Sequence, residues 1–197
     1  MYFDYGEKEI QYLSSKDEIL GKTIIDIGHI YREVNNDLIS SLIYHILGQQ
    51  ISVSSQMTVW KRLTDYFGKV TADKISKTSI NKLQGFGTTF RKAGYMTSIA
   101  LKVSKEEFDL DYLWNLSDDD VIKKLTELPG IGIWTAEMIL LFCMQRPDVF
   151  SCKDLAIHRG LCKLHNREKI NKKQLEKFKK LYSPYGSVAS LYLWAIS

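Results

Sequence analysis

The hydrophobic residues of this chain recur at the spacing of an α-helix, in runs separated by glycine and polar residues. After the cap signal Asn36-Asp37, two such series run in parallel: Leu38, Leu42 and Ile46, and Ile39, Ile43 and Leu47. Residues four apart lie on one face of a helix, so we predict a buried helix that stops at the polar turn from Gly48 to Ser52. A second helix is predicted to end at Gly68, with its apolar positions at Val53, Met57, Trp60, Leu63 and Phe67.

The rest of the chain carries the same helical pattern. Cap signals predict further helix starts at Ser79, Thr88-Thr89, Ser117, Asp154 and Asn171. No segment shows a convincing apolar and polar alternation, which a half-buried strand would require. We therefore predict an all-α fold. Residues 1–35, where the periodicity is weak, are expected to form a packing segment of one helical lobe, and residues 36–197 the main domain.

One stretch, from Leu128 to Trp134, lies between an amphipathic run opened by Ser117 and a strongly apolar run. Its Pro129 fixes one φ angle, and Gly130 and Gly132 permit a turn that side chains would obstruct. The pattern predicts a helix, a tight turn and a second helix, with backbone amides exposed where the second helix begins. Such a cluster of amides suits a phosphate group.

Composition narrows the class of protein. A chain of 197 residues with 45% hydrophobic residues can bury a sizeable core, and its mild net charge of +4 gives only weak support for a nucleic-acid partner. The 3 cysteines favour reduced thiols in a cytoplasmic protein and cannot supply the four thiolates of an iron–sulfur cluster. No apolar run reaches transmembrane length, so we expect no membrane partner.

The stretch from Leu128 to Ala136 resembles the helix-hairpin-helix of the base-excision DNA glycosylases, in which an aspartate follows about twenty residues later, as Asp154 does here. The segments from Ile46 to Ser52 and from Ser183 to Trp194 are similar to the 3-methyladenine DNA glycosylase II branch. The resemblance covers roughly residues 36–197. It implies two helical lobes with a DNA-binding cleft between them. It also implies a monomer that acts on damaged double-stranded DNA and is associated with the nucleoid.

The resemblance makes Asp154 the catalytic candidate. Breaking the N-glycosidic bond builds positive charge on the sugar, and a fixed carboxylate stabilises that charge and orients or deprotonates water. The position of Asp154 before the apolar run Leu155 to Leu161 equally indicates a helix cap. Both roles can coexist in one side chain.

The resemblance assigns Trp134 to the base pocket, and Gln50 to the wedge that fills the gap left by a flipped base, with Gln49 in support. An indole face attracts an electron-poor or cationic purine, and a glutamine can plug the gap and hydrogen-bond there. The residues alone leave two other interpretations open: a core tryptophan, and a pair of glutamines that bond to backbone groups.

The hairpin is expected to bind a DNA phosphate through a set of residues at and beyond the turn, namely Gly130, Ile131, Gly132 and Lys153. The resemblance also implies a monovalent cation, Na⁺ or K⁺, on the main-chain oxygens of Thr126, Leu128 and Ile131. No other cofactor is expected.

Two positions depart from related sequences. In the branch that also cuts the sugar-phosphate backbone, a lysine occupies the position of Trp134, and without that amine no Schiff base can form. Gly186 stands where a larger, often basic, residue is usual. We therefore expect a monofunctional glycosylase that removes alkylated purines such as 3-methyladenine and leaves an abasic site. The alternatives are a glycosylase for another lesion, such as 8-oxoguanine or a mismatched pyrimidine, and a non-catalytic helix-hairpin-helix module that binds DNA.

Overall fold

The computed structural model describes residues 1–197 and is built from helices, with one isolated β-bridge between Tyr2 and Glu33. The α-helices, numbered α1 to α12 in chain order, are Glu7–Lys16, Glu18–Ile27, Leu38–Gly48, Val53–Phe67, Ala72–Ser76, Ile80–Gly85, Phe90–Ser104, Asp118–Leu125, Ile133–Phe142, Leu155–Leu164, Lys172–Tyr182 and Gly186–Ala195. A 3₁₀ helix at Asp111–Asn115 lies between α7 and α8. The prediction of an all-α fold is confirmed. None of the helices has both the length and the apolar character that crossing a membrane requires.

The chain forms two compact units. One contains residues 1–34 and 140–197, and the other contains residues 35–139. The first unit therefore holds α1, α2 and α10 to α12, the second holds α3 to α8, and the boundary falls within α9. Residues 1–34, whose sequence pattern is weak, contribute two regular helices that join the C-terminal part of the chain.

Side-chain caps begin most of the helices. In each case a side-chain oxygen accepts hydrogen bonds from backbone N–H groups of the first turn, which have no acceptor within the helix. The predicted caps are confirmed at Asp37, Ser79, Thr89, Ser117, Asp154 and Asn171. A cap that the sequence pattern does not predict lies at Asp17, which accepts from the N–H groups of Ile19 and Leu20 and begins α2.

The apolar residues of α4 are not all buried. The buried residues of this helix are Val59 and Leu63, whereas Val53 is 69% exposed and Met57 is 60% exposed. Each pair is four residues apart and thus shares a helix face, but the two pairs lie on different sides of the helix. Val53 and Met57 are thus apolar positions of the predicted helix that lie outside the core, because hydrophobic spacing identifies a face without showing whether other elements cover it.

A buried polar cluster ties together three helices of the first unit. One carboxylate oxygen of Asp17 caps α2, and the other accepts a hydrogen bond of 2.7 Å from the Tyr182 hydroxyl of α11. The same oxygen lies 3.2 Å from Nε2 of His165, at the end of α10. Burial, together with the hydrogen bond to Asp17, raises the pKa of Tyr182 above its ordinary value, so the hydroxyl stays protonated and donates.

Helices α10 and α12 approach so closely that Gly160 has no room for a side chain. A Cβ atom at this position would overlap the main-chain carbonyl of Leu193. Gly94, in the middle of α7, is a contrasting helical glycine, because a Cβ atom there would have no neighbour within 4 Å. The two glycines therefore occupy opposite environments in helices of the same protein.

Alanine substitution should separate these two glycines. Gly160→Ala is expected to lower the free energy of unfolding by about 1–3 kcal/mol, because backbone must move to relieve the overlap. Gly94→Ala should raise it by up to about 1 kcal/mol through the higher helix propensity of alanine. Urea unfolding followed by circular dichroism measures both. Equal effects of the two substitutions would contradict the packing described for α10 and α12.

Candidate functional site

The hairpin between α8 and α9 is a tight turn that requires glycine at one position. Pro129 precedes Gly130, whose φ of 81° lies in the left-handed region, and the N–H of Ile131 donates to the carbonyl of Leu128 at 3.2 Å. Proline followed by a residue of positive φ is typical of a type II turn. A Cβ atom at Gly130 would also overlap the ring of Tyr95 from α7. Conformation and space therefore both select glycine.

The residues directly after this turn are exposed. Gly132, Ile133 and Trp134 are exposed, whereas Thr135 and Ala136, one turn into α9, are buried. A Cβ atom at Gly132 would meet nothing within 4 Å, so the protein itself does not require glycine there. The expectation that side chains would obstruct the turn thus holds for Gly130 and is wrong for Gly132. The open space at Gly132 leaves room for a bound group at the start of a helix, the end of a helix that favours an anion.

The predicted wedge lies in a second turn of unusual conformation. Gln49 has φ −59° and ψ 126°, Gln50 has φ 58°, and the N–H of Ile51 donates to the carbonyl of Gly48 at 3.5 Å. These values describe a type II turn with glutamine at the position that normally carries glycine or asparagine. A left-handed residue with a long side chain is uncommon, and such residues concentrate at functional sites. Gln50 is exposed.

Gln49 and Gln50 have different surroundings. The side-chain amide of Gln49 is half-buried, and its Nε2 donates to the carbonyl oxygen of Gly130 at 2.8 Å. The two turns, 81 positions apart in the chain, are therefore joined by a hydrogen bond. Gln49 therefore bonds to a backbone group, as in the alternative interpretation of this pair of glutamines.

The end of α3, immediately before the turn at residues 48–51, is held by two further side chains. Nζ of Lys92, a residue only 6% exposed, donates to the carbonyl of Leu47 at 2.8 Å. Nε2 of Gln56 donates to the carbonyl of Tyr44, also at 2.8 Å. Burial, and secondarily the neighbouring Arg91, lowers the pKa of Lys92 from its usual value. A cation at the C-terminal end of a helix interacts favourably with the helix dipole.

Trp134 is the second residue of α9 and is 42% exposed. Its indole is therefore not a buried core side chain, which was the alternative to a role in a base pocket. The pocket role itself stays a prediction, as do the wedge role of Gln50 and the phosphate-binding roles of Gly130, Ile131 and Gly132.

Asp154 belongs to the other unit, where it is the N-cap of α10 and only 7% exposed. Its Oδ1 accepts from the N–H groups of Ala156 at 2.7 Å and Ile157 at 3.0 Å. The cap interpretation is thus confirmed, and the two bonds fix the orientation of the carboxylate. The catalytic role remains a prediction that the cap does not contradict. Lys153, the preceding residue, is exposed.

The extended segment that leads to Asp154 is bound by α12, a feature that the sequence pattern does not reveal. The hydroxyl of Ser187 accepts from the N–H of Val149 at 2.9 Å, and the hydroxyl of Ser190 donates to the carbonyl of the same residue at 3.0 Å. Both serines are fully buried. Two serines three positions apart in an otherwise apolar helix were the available signal, since buried hydroxyls need partners.

Gly186 begins α12 and lies against this segment. Its N–H donates to the Asp148 carboxylate at 3.1 Å, and a Cβ atom would lie 2.9 Å from that carboxylate and 3.2 Å from Cβ of Phe150. The absence of the larger residue expected at this position thus matches the space available in this protein.

The predicted cation ligands lie at the end of α8 and in the hairpin turn. Thr126 is the C-cap of α8, and the carbonyl of Leu128 accepts the turn hydrogen bond from Ile131. A carbonyl oxygen has a second lone pair, and hard cations prefer oxygen ligands, so the donor set suits Na⁺ or K⁺. No cluster of three or more His, Cys, Asp or Glu side chains is arranged to hold a metal ion.

Comparison with known proteins extends over most of the chain. Residues 43–184 match the family described as HhH-GPD superfamily base excision DNA repair protein. DNA-3-methyladenine glycosylase 1 of Schizosaccharomyces pombe is 30% identical over 166 residues, which are 79% of this chain and 71% of that protein. The matches with the relatives compared span between 55% and 71% of the length of those proteins.

Solved structures agree with this relationship. A DNA-3-methyladenine glycosidase from Bacillus halodurans matches with a TM-score of 0.85 and 29% identity, over 99% of this chain and 91% of that chain. The Schizosaccharomyces pombe 3-methyladenine DNA glycosylase in complex with abasic DNA matches with a TM-score of 0.86 and 26% identity, over 95% of both chains. The predicted helix-hairpin-helix glycosylase fold is confirmed, and the protein belongs to the HhH-GPD superfamily of base-excision DNA repair proteins.

Proposed function

We propose that this protein is a monofunctional DNA glycosylase that flips an alkylated purine, such as 3-methyladenine, out of duplex DNA and hydrolyses its N-glycosidic bond. The observation that carries the proposal is the carboxylate of Asp154, which is almost fully buried and held by two backbone N–H groups at the start of α10. Membership of the superfamily and the names of its relatives support both the reaction and the class of lesion.

The proposed chemistry needs a carboxylate whose position does not change during the reaction. The sugar gains positive charge as the bond to the base lengthens, and a fixed negative group stabilises that charge without reorganisation. The same carboxylate can orient or deprotonate the attacking water. The cap bonds of Asp154 and the two hydrogen bonds that attach Val149 to α12 support such a fixed position.

Trp134 supports both the substrate class and the absence of lyase activity. An exposed indole is available to stack on a flipped purine, and its π face attracts the positive charge of an alkylated base. Lyase chemistry would require an amine that forms a Schiff base with the sugar, and tryptophan has none. The product is then an abasic site in an unbroken strand.

The remaining parts of the proposed mechanism handle the DNA. Gly130, Ile131 and the exposed Gly132 of the hairpin bind a phosphate, Lys153 of the other unit is a further cation for the DNA backbone, and Gln50 fills the gap left by the flipped base. A monovalent cation on the main-chain oxygens of Thr126, Leu128 and Ile131 would add positive charge to the hairpin and so strengthen its attraction for the phosphate. The partner is damaged double-stranded DNA, which the protein binds as a monomer. The protein then acts in the cytoplasm, at the nucleoid.

Asp154→Asn should abolish most of the base release while the fold is retained. Asparagine is as good an N-cap as aspartate, so α10 keeps its cap, but the negative charge is lost. We expect the single-turnover rate to fall about 10² to 10⁴-fold. The measurement is free base released from duplexes that carry 3-methyladenine, 7-methylguanine, hypoxanthine, 8-oxoguanine or uracil.

A suitable control is Asp17→Asn, which alters another buried aspartate cap of the same unit. The side-chain nitrogen of the asparagine cannot accept the hydrogen bond that Tyr182 donates to Asp17, so this variant should unfold more easily than the unchanged protein but release base at a normal rate when folded. Activity that survives in Asp154→Asn would sink the proposed mechanism. Release of 8-oxoguanine or uracil alone would reassign the lesion, and DNA binding without any release would identify a binding module.

Trp134→Ala should weaken excision of cationic bases more than excision of neutral ones. The cation–π contribution of about 0.5–2 kcal/mol is lost only for the charged base, which corresponds to roughly a two- to thirtyfold difference between substrates. The ratio of kcat/KM for 7-methylguanine to that for hypoxanthine measures it, with Trp134→Phe as the control that keeps an aromatic face. Equal losses on the two substrates would count against the cation–π account.

A further inference from the structure

We propose that Gln49 is a positioning residue that holds the wedge turn, residues 48–51, at a fixed distance from the hairpin. Gln50 then enters the duplex in register with the phosphate that the hairpin binds. This role rests on the proposed glycosylase function and differs from a wedge role for Gln49 itself, because it requires no contact between Gln49 and DNA.

The first support is the hydrogen bond that joins the two turns. Nε2 of Gln49 donates to the carbonyl of Gly130 at 2.8 Å, and the side chain is half-buried. A side-chain amide that donates to the hairpin is turned toward the protein, whereas the neighbouring Gln50 is exposed. The two adjacent glutamines therefore have separate tasks: one faces the hairpin and the other is available to the duplex.

The acceptor of this bond is itself rigid. Gly130 is held in the left-handed conformation by the turn, and the ring of Tyr95 occupies the space in which a Cβ atom at this position would lie. A donor that binds this carbonyl is therefore held at a fixed position relative to the whole hairpin. The bond thus transmits the position of the hairpin to the wedge turn.

The wedge turn needs such support because its own conformation is unfavourable. Gln50 has a φ of 58°, which side-chain-bearing residues seldom adopt. Lys92 and Gln56 fix α3 before the turn, at the carbonyls of Leu47 and Tyr44. Those two bonds hold residues that precede the turn. The Gln49 amide, in contrast, holds a residue of the turn itself.

The test is a binding cycle with two substitutions. Gln49→Met keeps the length and shape of the side chain but removes the donor, and Gln50→Ala removes the wedge. Fluorescence anisotropy measures the affinity of each single variant and of the double variant for a duplex with a stable tetrahydrofuran abasic site and for the same duplex without it. Gln84→Met, a change of a half-buried glutamine in the same unit, is the matched control.

We expect Gln49→Met to weaken binding to the abasic duplex about three- to tenfold, the typical effect of one hydrogen bond, and to leave the undamaged duplex within about twofold. In the Gln50→Ala background the same change should have less than about a twofold effect, because no wedge remains to be positioned. Gln49→Glu, which sets a carboxylate against the carbonyl, should weaken abasic binding at least as much as Gln49→Met does.

Two results would overturn this role. Equal weakening on both duplexes would indicate general damage to the DNA-binding surface, and full additivity with Gln50→Ala would indicate that Gln49 contacts DNA directly. Base release from a methylated duplex, measured in parallel on the unchanged protein, reports on the glycosylase function alone. Absence of release with an intact binding cycle would reject the enzyme and retain the positioning role. A normal release rate with an additive cycle would do the reverse.

Discussion

The left-handed turn at Gly130 is the constraint on which the DNA-binding part of this protein depends. The turn reverses the chain between α8 and α9, and it directs the first residues of α9 outward. The Tyr95 ring fills the space beside it, and the Gln49 amide donates to its carbonyl. One backbone conformation thus determines where Gly132, Trp134 and the wedge turn lie relative to each other within the second unit.

The candidate catalytic group depends on a comparable constraint in the first unit. A carboxylate that is to stabilise a developing charge must already be in position, because any reorganisation during the reaction raises the barrier. Asp154 has this property because its cap bonds orient the side chain and because α12 binds the preceding segment through Ser187 and Ser190. The tight approach of α10 to α12 at Gly160 fixes the helix that Asp154 begins.

Local chemistry made much of the fold predictable. Caps such as Ser117 and Asn171 accept hydrogen bonds from N–H groups two or three residues away. Because both partners lie in one short segment, the sequence pattern predicted these helix starts correctly. The hairpin and the position of Asp154 were predictable for the same reason, together with a resemblance that spans most of the chain. The individual helices of residues 1–34 were not predicted, because they are stabilised by residues beyond position 139.

Long-range contacts account for what the sequence could not predict. The bond from Gln49 to Gly130 joins positions 81 apart, and no local pattern distinguishes it from a solvent-exposed amide. The exposure of Val53 and Met57 depends on what covers α4, which hydrophobic spacing does not encode. At Gly186 the sequence showed a departure from related proteins, and the structure places the Asp148 carboxylate and Cβ of Phe150 close to where a larger side chain would begin.

Product analysis of the unchanged protein distinguishes hydrolytic base excision from strand cleavage and from DNA binding without catalysis. A duplex labelled at one end and containing a single 7-methylguanine is incubated with the protein, and each sample is divided between free-base detection and strand analysis with or without alkali. Hydrolytic excision without lyase activity predicts stoichiometric release of free base and strand breaks only after alkali, which cleaves the abasic sites. Strand breaks without alkali, or a bound duplex from which no base is released, would contradict it.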